Sequence, residues 1–389
     1  MIRRVKARNF LSLMDVDLEL GRRNVLVGPN MSGKSNLIDL FKFLTTMATE
    51  RPGLQAAVLQ RGGFSELVWK GGEERQVSLA ITIELPGAEN QPKPQTDEYA
   101  LTLIGGPGGS CTVESEKLTV HVDGNEPRTI YEIGHGRQGV VEEQGQLRPI
   151  NLSNWSTALE SVGLPNVEAD QFRSIVAGWR FYQIIPALMR QENAPNPEPF
   201  LKQHGENFSS WITTLQTHPE ESRQIRQAVC DAFPDLAEII IQPTQASRIV
   251  LSTHEKYLRR ATPIYRMSDG ELAFLALVSL IFAPLELGAS LYCIEEPENY
   301  LHPYLLETLV ELLTQRQAEL GEQSAQIIAT THSPYLVDKI SVDDLIVTEK
   351  LSGETRFRSP SSSQHLKELL ARAELGLGEL WYSGALGGA

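Results

Sequence analysis

The sequence predicts an α/β protein built on a mixed sheet, with an antiparallel sheet near the amino terminus and a mainly helical insertion. Three observations lead to that reading. Residues 28 to 35 form a complete G-x-x-x-x-G-K-S loop, preceded by the apolar run Asn24-Val25-Leu26-Val27 and followed by the helical pattern Leu37-Ile38-Asp39-Leu40-Phe41. After residue 237, apolar strand patterns alternate with helical ones, the mark of a buried, mostly parallel sheet. The long middle of the chain fits neither pattern, so the sheet is expected to draw its strands from both ends of the chain around an insertion.

Taken in order, residues 2 to 7 and 15 to 20 alternate apolar and polar side chains and predict strands, and Gly21 turns the chain into the strand before the loop. A helix follows to about Ala48; Arg51-Pro52-Gly53 breaks it, and a short helical stretch ends at Gln60-Arg61-Gly62-Gly63. Strand patterns at 77 to 85, 99 to 104, 118 to 122 and 128 to 133 predict an antiparallel sheet, its turns supplied by the segments starting at Gly87 and Gly105. From about Asn151 the periodicity is helical, interrupted by the strand-like Trp179-Arg180-Phe181-Tyr182 and the proline-rich crossing Ala194–Pro199, with two more helical patterns to about Phe233. Strands at 238 to 241 and 248 to 251, a helix from Asp269 to about Phe282, a strand at Ser290–Ile294, a helix from Pro303 to about Leu320, and strands at Ala325–Ala329 and Asp344–Thr348 complete the predicted parallel sheet. A helix pattern near Gln364–Ala373 and an apolar, glycine-rich tail from Leu375 to Gly388 follow; the tail reads either as a strand or loop packed on the rest or as a docking segment. The implied divisions are 1–150, 151–235 for the helical insertion, and 236–389.

Hydrophobic residues make up 41% and charged residues 22%, which fits a globular protein rather than a disordered or fibrous one. No apolar run approaches the length needed to span a bilayer, and the amino terminus lacks a signal-peptide core, so a cytoplasmic protein with no membrane partner is expected. Cys111, Cys230 and Cys293 stand far apart, in neither a redox nor a zinc spacing. The net charge of −14 opposes a uniformly DNA-coating surface, although it leaves room for local basic clusters at Arg3-Arg4-Lys6-Arg8 and around Tyr257 at Lys256, Arg259 and Arg260, each also readable as an ordinary solvated face.

The chemistry concentrates in four motifs. In the glycine-rich loop, backbone N–H groups close around phosphates and the helix dipole points at them, Lys34 neutralises the β and γ oxygens, and the Ser35 hydroxyl takes a place on Mg²⁺. Asn30, Met31, Ser32, Gly33, Lys34, Ser35 and Asn36 are therefore the nucleotide-binding candidates. The apolar strand Leu291-Tyr292-Cys293-Ile294 ends in Glu295-Glu296-Pro297-Glu298, at the edge where open α/β sheets place ligand chemistry. Glu295 is expected on Mg²⁺ or just behind it, and Glu296 is expected to orient and deprotonate the attacking water. His332 follows the next apolar strand and is expected beside Glu296 as a γ-phosphate sensor. Ser268, with Glu271 three residues on, reads as a capping box, and a helix amino end bearing Ser and Gly is also a phosphate-binding device.

The loop, Ser268-Asp269-Gly270-Glu271, Ile294–Glu298 and His332 occur in the order P-loop, signature, Walker B and switch histidine, and in this the chain resembles ABC-type ATPases. Within that class it looks like the SMC/RecF/OLD group. Val5-Lys6-Ala7-Arg8-Asn9-Phe10-Leu11-Ser12-Leu13, Val27-Gly28-Pro29-Asn30, Glu295-Glu296-Pro297-Glu298-Asn299 with Leu301-His302-Pro303, and Thr331-His332-Ser333-Pro334 are all like the OLD-family ATPase domain. The resemblance covers about residues 1 to 50 and 260 to 350. It implies an ABC-type P-loop ATPase head with ATP and Mg²⁺ as ligands. It also implies two heads associating around ATP, with Ser268 and Gly270 acting on the nucleotide of the other subunit, and Gln60 joining Ser35 and Glu295 as the Q-loop glutamine at the metal. The signature departs from the usual Leu-Ser-Gly-Gly, Glu295 stands where aspartate is usual, and His302 replaces the D-loop aspartate. The long insertion is unlike transporter ATPases, and the absence of heptads is unlike a coiled-coil arm. The stretch after Thr348 is too short for the TOPRIM nuclease of OLD enzymes, and similar stand-alone ATPases are associated with phage defence beside a separate effector.

The expected function is thus an ATP-hydrolysing switch, with Lys34, Glu296 and His332 as catalytic candidates, that dimerises around ATP and controls a DNA-directed or defence effector on another chain. The alternative is a RecF-like, ATP-controlled DNA-binding protein. A nuclease is disfavoured because no second carboxylate constellation is visible.

Overall fold

Buried side chains alternate with exposed ones along the middle of β1 (Ile2–Phe10), at Val5, Ala7 and Asn9, and along the end of β2 (Leu13–Glu19), at Val16 and Leu18; the two strands pair antiparallel, with left-handed φ of 61° at Asn9 near the end of β1 and 52° at Leu11 in the turn. A computed structural model describes residues 1–86, 94–134, 138–161, 164–360 and 376–382. β3 (Arg23–Val27) leads through the glycine-rich loop into α1 (Lys34–Thr49), whose apolar face is fully buried. α2 (Gly53–Leu59) and the helical turn α3 (Phe64–Leu67) precede β4 (Gln76–Leu85), β5 (Gln95–Gly105), β6 (Cys111–Val122), β7 (Arg128–Ile133), β8 (Gln138–Glu143) and β9 (Gln146–Asn151). With β1 and β2 these six form an eight-stranded antiparallel sheet in the order β2-β1-β4-β5-β6-β7-β8-β9.

After α4 (Val167–Ala177) come β10 (Arg180–Tyr182), α5 (Pro186–Met189), α6 (Phe208–Leu215) and α7 (Pro219–Ala232). β11 (Leu236–Pro243), β12 (Ile249–Glu255) and β13 (Thr262–Pro263) follow, then α8 (Asp269–Ile281), β14 (Leu291–Glu295), α9 (Pro303–Leu320), β15 (Gln326–Thr331) and α10 (Pro334–Asp338). The described residues end with β16 (Leu345–Leu351), β17 (Glu354–Arg358) and α11 (Leu377–Tyr382).

The chain divides into two compact units, one of Met1–Trp179 with β16 and β17, the other running from Arg180 to Val342 and including α11. In the first, β16 pairs parallel to β3 and antiparallel to β17, so the strand feeding the glycine-rich loop is flanked by a strand more than 300 residues away in sequence. Its core packs Phe10 edge-on against Phe43 and Phe41 edge-on against Trp179. In the second, β10, β14 and β15 form a parallel ladder that places Glu295 opposite Thr330 at the carboxyl end. The mixed α/β architecture with an antiparallel amino-terminal sheet is the one the sequence predicts.

Three expectations need correction. The strands at 238 to 241 and 248 to 251 belong not to the parallel sheet but to a separate antiparallel sheet, β11-β12-β13, because a short turn joins β11 to β12 whereas parallel neighbours need a crossover of a dozen or more residues. Helix does not begin near Asn151: β8 and β9 extend the sheet to that residue, and β9 is exposed along most of its length, so it carries no alternation to read. The helix expected at 364–373 lies outside the described residues, as does the tail apart from Gly376–Tyr382. There α11 stands in place of a strand or loop, anchored by Gly378 N–H donating to Asp338 Oδ1 at 2.7 Å.

Candidate functional site

In the first unit, the path of the loop after β3 is fixed by two glycines. A Cβ on Gly28 would lie 2.1 Å from the carbonyl oxygen of Thr348 on β16, and one on Gly33, whose φ is +102°, would lie 1.8 Å from Thr355 Oγ1 on β17. No side chain caps the amino end of α1 and its first turn holds no acidic residue. The backbone N–H groups that a helix leaves unpaired at this end are therefore offered at the loop with the positive end of the dipole behind them. Lys34 is buried, and its Nζ donates to the carbonyls of Gly28 at 2.7 Å and Pro29 at 3.0 Å, closing the loop around its own ammonium. Ser35 is exposed at the start of α1, and Asn30 and Met31 form an exposed loop tip. Ser32 Oγ is buried inside the loop without a hydrogen-bond partner among the described residues. The Asn36 amide turns away to Ser12 Oγ at 2.5 Å. Gln60 caps the carboxyl end of α2 and is exposed; its neighbour Arg61 makes a bidentate pair with Asp39 of α1, both contacts at 2.7 Å, which ties that turn to the helix after the loop.

In the second unit, β14 delivers Glu295 and the chain then turns sharply: Glu296 has a left-handed φ of 48°, held by its N–H donating to Thr330 O of β15 at 3.0 Å. Asn299 Nδ2 donates to Glu296 Oε2 at 2.8 Å, and His332 Nε2 faces Glu296 Oε1 at 3.5 Å. His332 is held in turn by Glu298, whose Oε1 accepts from Thr331 Oγ1 at 2.6 Å and from His332 N–H at 2.8 Å. The structure thus brings Glu295, Glu296 and His332 to the ends of two adjacent parallel strands. The half-exposed Glu296 carboxylate has one oxygen fixed by an amide and the other facing an imidazole.

Ser268 caps α8 with the full reciprocal box: its Oγ accepts from Glu271 N–H at 3.2 Å and donates to Glu271 Oε2 at 2.6 Å, while its own N–H donates to the same oxygen at 2.7 Å. Arg190, just after α5, bridges Asp269 Oδ1 at 2.6 Å and the carbonyl of Met267 at 2.8 Å. Gly270 approaches the loop after β14 closely, a Cβ there meeting Tyr300 O at 3.0 Å. His302 caps α9, its Nδ1 accepting from Tyr304 N–H at 3.3 Å.

The contacts of Asn299, Glu298 and Arg190 emerge only in the structure. The Asn299 contact spans only three residues and was in principle visible in the spacing. The Arg190–Asp269 pair, which joins segments far apart in the chain, left no local signal.

The fold and these motifs define an ABC-type ATPase head of the SMC/OLD kind, a P-loop domain that binds ATP. Residues 113–338, more than half of the chain, match the family described as "AAA domain, putative AbiEii toxin, Type IV TA system", and the chain belongs to that family. The matched span starts after the phosphate loop and takes in the segments of Ser268, Glu296 and His332. The chain is also similar to the OLD nuclease of Thermus scotoductus (strain ATCC 700910 / SA-01), at 22% identity over 362 residues, which cover 87% of this chain and 60% of that protein. It therefore spans less than two thirds of that relative's length. Two solved structures share the fold. One is an Smc head bound to the C-terminal winged-helix domain of ScpA (TM-score 0.57, 16% identity, 92% of this chain and 97% of that one). The other is an Smc head with an extended coiled coil, bound to the C-terminal domain of ScpA derived from Pyrococcus furiosus (TM-score 0.54, 14% identity, 95% and 99%). No helix among the described residues is long and apolar enough to cross a membrane.

Proposed function

We propose that this protein is an ATP-hydrolysing switch in which two copies associate around Mg·ATP and the nucleotide state controls a separate effector acting on DNA or in phage defence. The observation that carries the reading is the Glu296 carboxylate, fixed by Asn299 and facing His332 at the end of a parallel strand, in a chain with a complete phosphate loop.

Lys34 and the N–H groups at the start of α1 bind the triphosphate. The exposed Ser35 hydroxyl and the Glu295 carboxylate are each hard oxygen donors of the kind Mg²⁺ prefers, and by donor chemistry each suits that ion, with Gln60 a further candidate donor from the end of α2. When bound, Mg²⁺ neutralises charge developing on the phosphate oxygens. Glu296 accepts a proton from the attacking water as that water adds to the γ-phosphorus and ADP leaves, and His332 donates to the γ-phosphate. Ser268, Asp269, Gly270 and Glu271 present the amino end of α8 to the nucleotide of a second copy. The Smc heads of similar fold are bound to domains of ScpA, which supports a protein partner here.

Steady-state hydrolysis by Glu296→Gln tests the reading. A fall of at least about a hundredfold in kcat with ATP affinity kept within twofold is expected for loss of a general base, whereas hydrolysis at the wild-type rate removes Glu296 from the chemistry.

A further inference from the structure

Behind the phosphate loop, three polar side chains from segments far apart in the sequence form a row that ends on a loop carbonyl. Asn36 Nδ2 lies 2.5 Å from Ser12 Oγ, Ser12 Oγ lies 2.5 Å from Thr355 Oγ1, and Thr355 Oγ1 lies 2.9 Å from the carbonyl oxygen of Ser32. Ser12, Ser32 and Thr355 are 7%, 1% and 2% exposed, so water does not compete for these contacts.

Proton counting fixes the direction of every bond. A carbonyl only accepts, so Thr355 gives its single hydroxyl proton to Ser32 O. Ser12 must then donate to Thr355 Oγ1, and having spent its proton can only accept from Asn36, which must present its NH₂ rather than its oxygen. Three contacts use three protons, and no other assignment satisfies all of them. The Thr355 N–H, donating to Ser12 O at 2.8 Å, locks the two segments together.

The consequence falls on one peptide plane. In a trans peptide the C=O and the following N–H point in opposite directions, so a Ser32 carbonyl drawn onto β17 turns the Gly33 N–H away from it. Gly33 takes the left-handed φ this requires, and its missing side chain leaves the space that Thr355 Oγ1 fills. We propose that Thr355, through the Asn36–Ser12–Thr355 relay, is a positioning residue for nucleotide binding that latches the 32–33 peptide with its N–H presented as a phosphate donor. The inference rests on the phosphate loop being the ATP site.

Calorimetric titration of ATP into wild type, Thr355→Ser, Thr355→Val and Ser12→Ala tests it, with KM and kcat measured on the same proteins. Thr355→Val, which keeps the shape and loses the proton, is expected to weaken ATP affinity and raise KM about tenfold, with kcat changed less than threefold; a tenfold change corresponds to about 1.4 kcal/mol. Thr355→Ser is expected to bind within threefold of wild type. If Thr355→Val does not fold, Ser12→Ala, which removes the proton Thr355 accepts, reports in its place with an expected loss of about threefold. ATP binding by Thr355→Val at wild-type strength, or equal losses in the Val and Ser variants, overturns the latch while leaving the ATPase reading intact. Wild-type protein that binds no ATP removes both.

Discussion

α1 and α8 both begin with a serine and a glycine, yet their amino ends are finished in opposite ways. α1 has a glycine in left-handed conformation as its cap, no capping side chain, no acid in its first turn and a buried lysine at its first position. α8 has a capping serine whose hydroxyl is engaged both as donor and as acceptor, and acids at Asp269 and Glu271. The first is an anion site in waiting, because no side chain claims its amino end and the nearest charge is positive. The second is already occupied by its own carboxylate, so an incoming phosphate must displace Glu271 from Ser268 and meets a negative field that Arg190 offsets only at Asp269. The same small residues at a helix start therefore do not by themselves make a phosphate site; what fills the cap decides.

The contrast breaks most visibly at Lys34. Lys34→Ala is expected to lower ATP affinity by about a hundredfold or more in an equilibrium titration, since the ammonium is the only charge that loop supplies; tight binding by the variant contradicts the assignment of α1. At α8 the effects are smaller and of a different kind. Ser268→Ala is expected to leave ATP binding by the isolated subunit unchanged, to cost about 1 kcal/mol of unfolding free energy as a lost cap, and to slow hydrolysis several-fold at protein concentrations where copies associate. Were Ser268→Ala to weaken ATP binding at high dilution, the amino end of α8 would be acting within one subunit.

Two buried carboxylates on neighbouring strands of the antiparallel sheet differ in the same way in their donors. Buried Glu116 accepts from Ala158 N–H at 2.6 Å, Leu159 N–H at 3.0 Å and Tyr99 OH at 3.1 Å. Asp97, equally buried on the neighbouring strand, accepts on Oδ1 from Gln95 alone, and its Oδ2 has no partner among the described residues. Burial accordingly pushes the Asp97 carboxyl up to about 6. A carboxyl raised on folding favours the folded state fully below its ordinary pKa near 3.8, and that contribution is lost as pH rises through 6. Asp97→Asn is therefore expected to gain stability on the order of 2 kcal/mol at pH 8 and little at pH 4, measured by denaturant unfolding. A gain independent of pH would mean that charge is not the cause.

What the sequence reveals and what it hides follow from range. The phosphate loop, the capping box at Ser268 and the helix at Pro303–Leu320 are set by residues within a few positions of one another, and all appear in the structure where the pattern puts them. The Glu296–His332 pairing was foreseeable because consecutive apolar strands in a parallel sheet end on the same edge. The relay through Ser12 and Thr355 was not, because its members are 343 residues apart and each is an unremarkable hydroxyl in its own segment. β11 and β12 misled for the converse reason: their apolar content matched a buried parallel strand, and only the short turn between them argued for a hairpin.

We propose that ATP held at α1 is hydrolysed between two copies of the chain. The most direct test is the solution mass of Glu296→Gln protein with and without Mg·ATP, since blocking hydrolysis traps any complex that ATP assembles. A shift from the mass of one chain to that of two on adding Mg·ATP, reversed when ADP replaces ATP, is the predicted result; a single-chain mass under both conditions, with ATP bound, contradicts it.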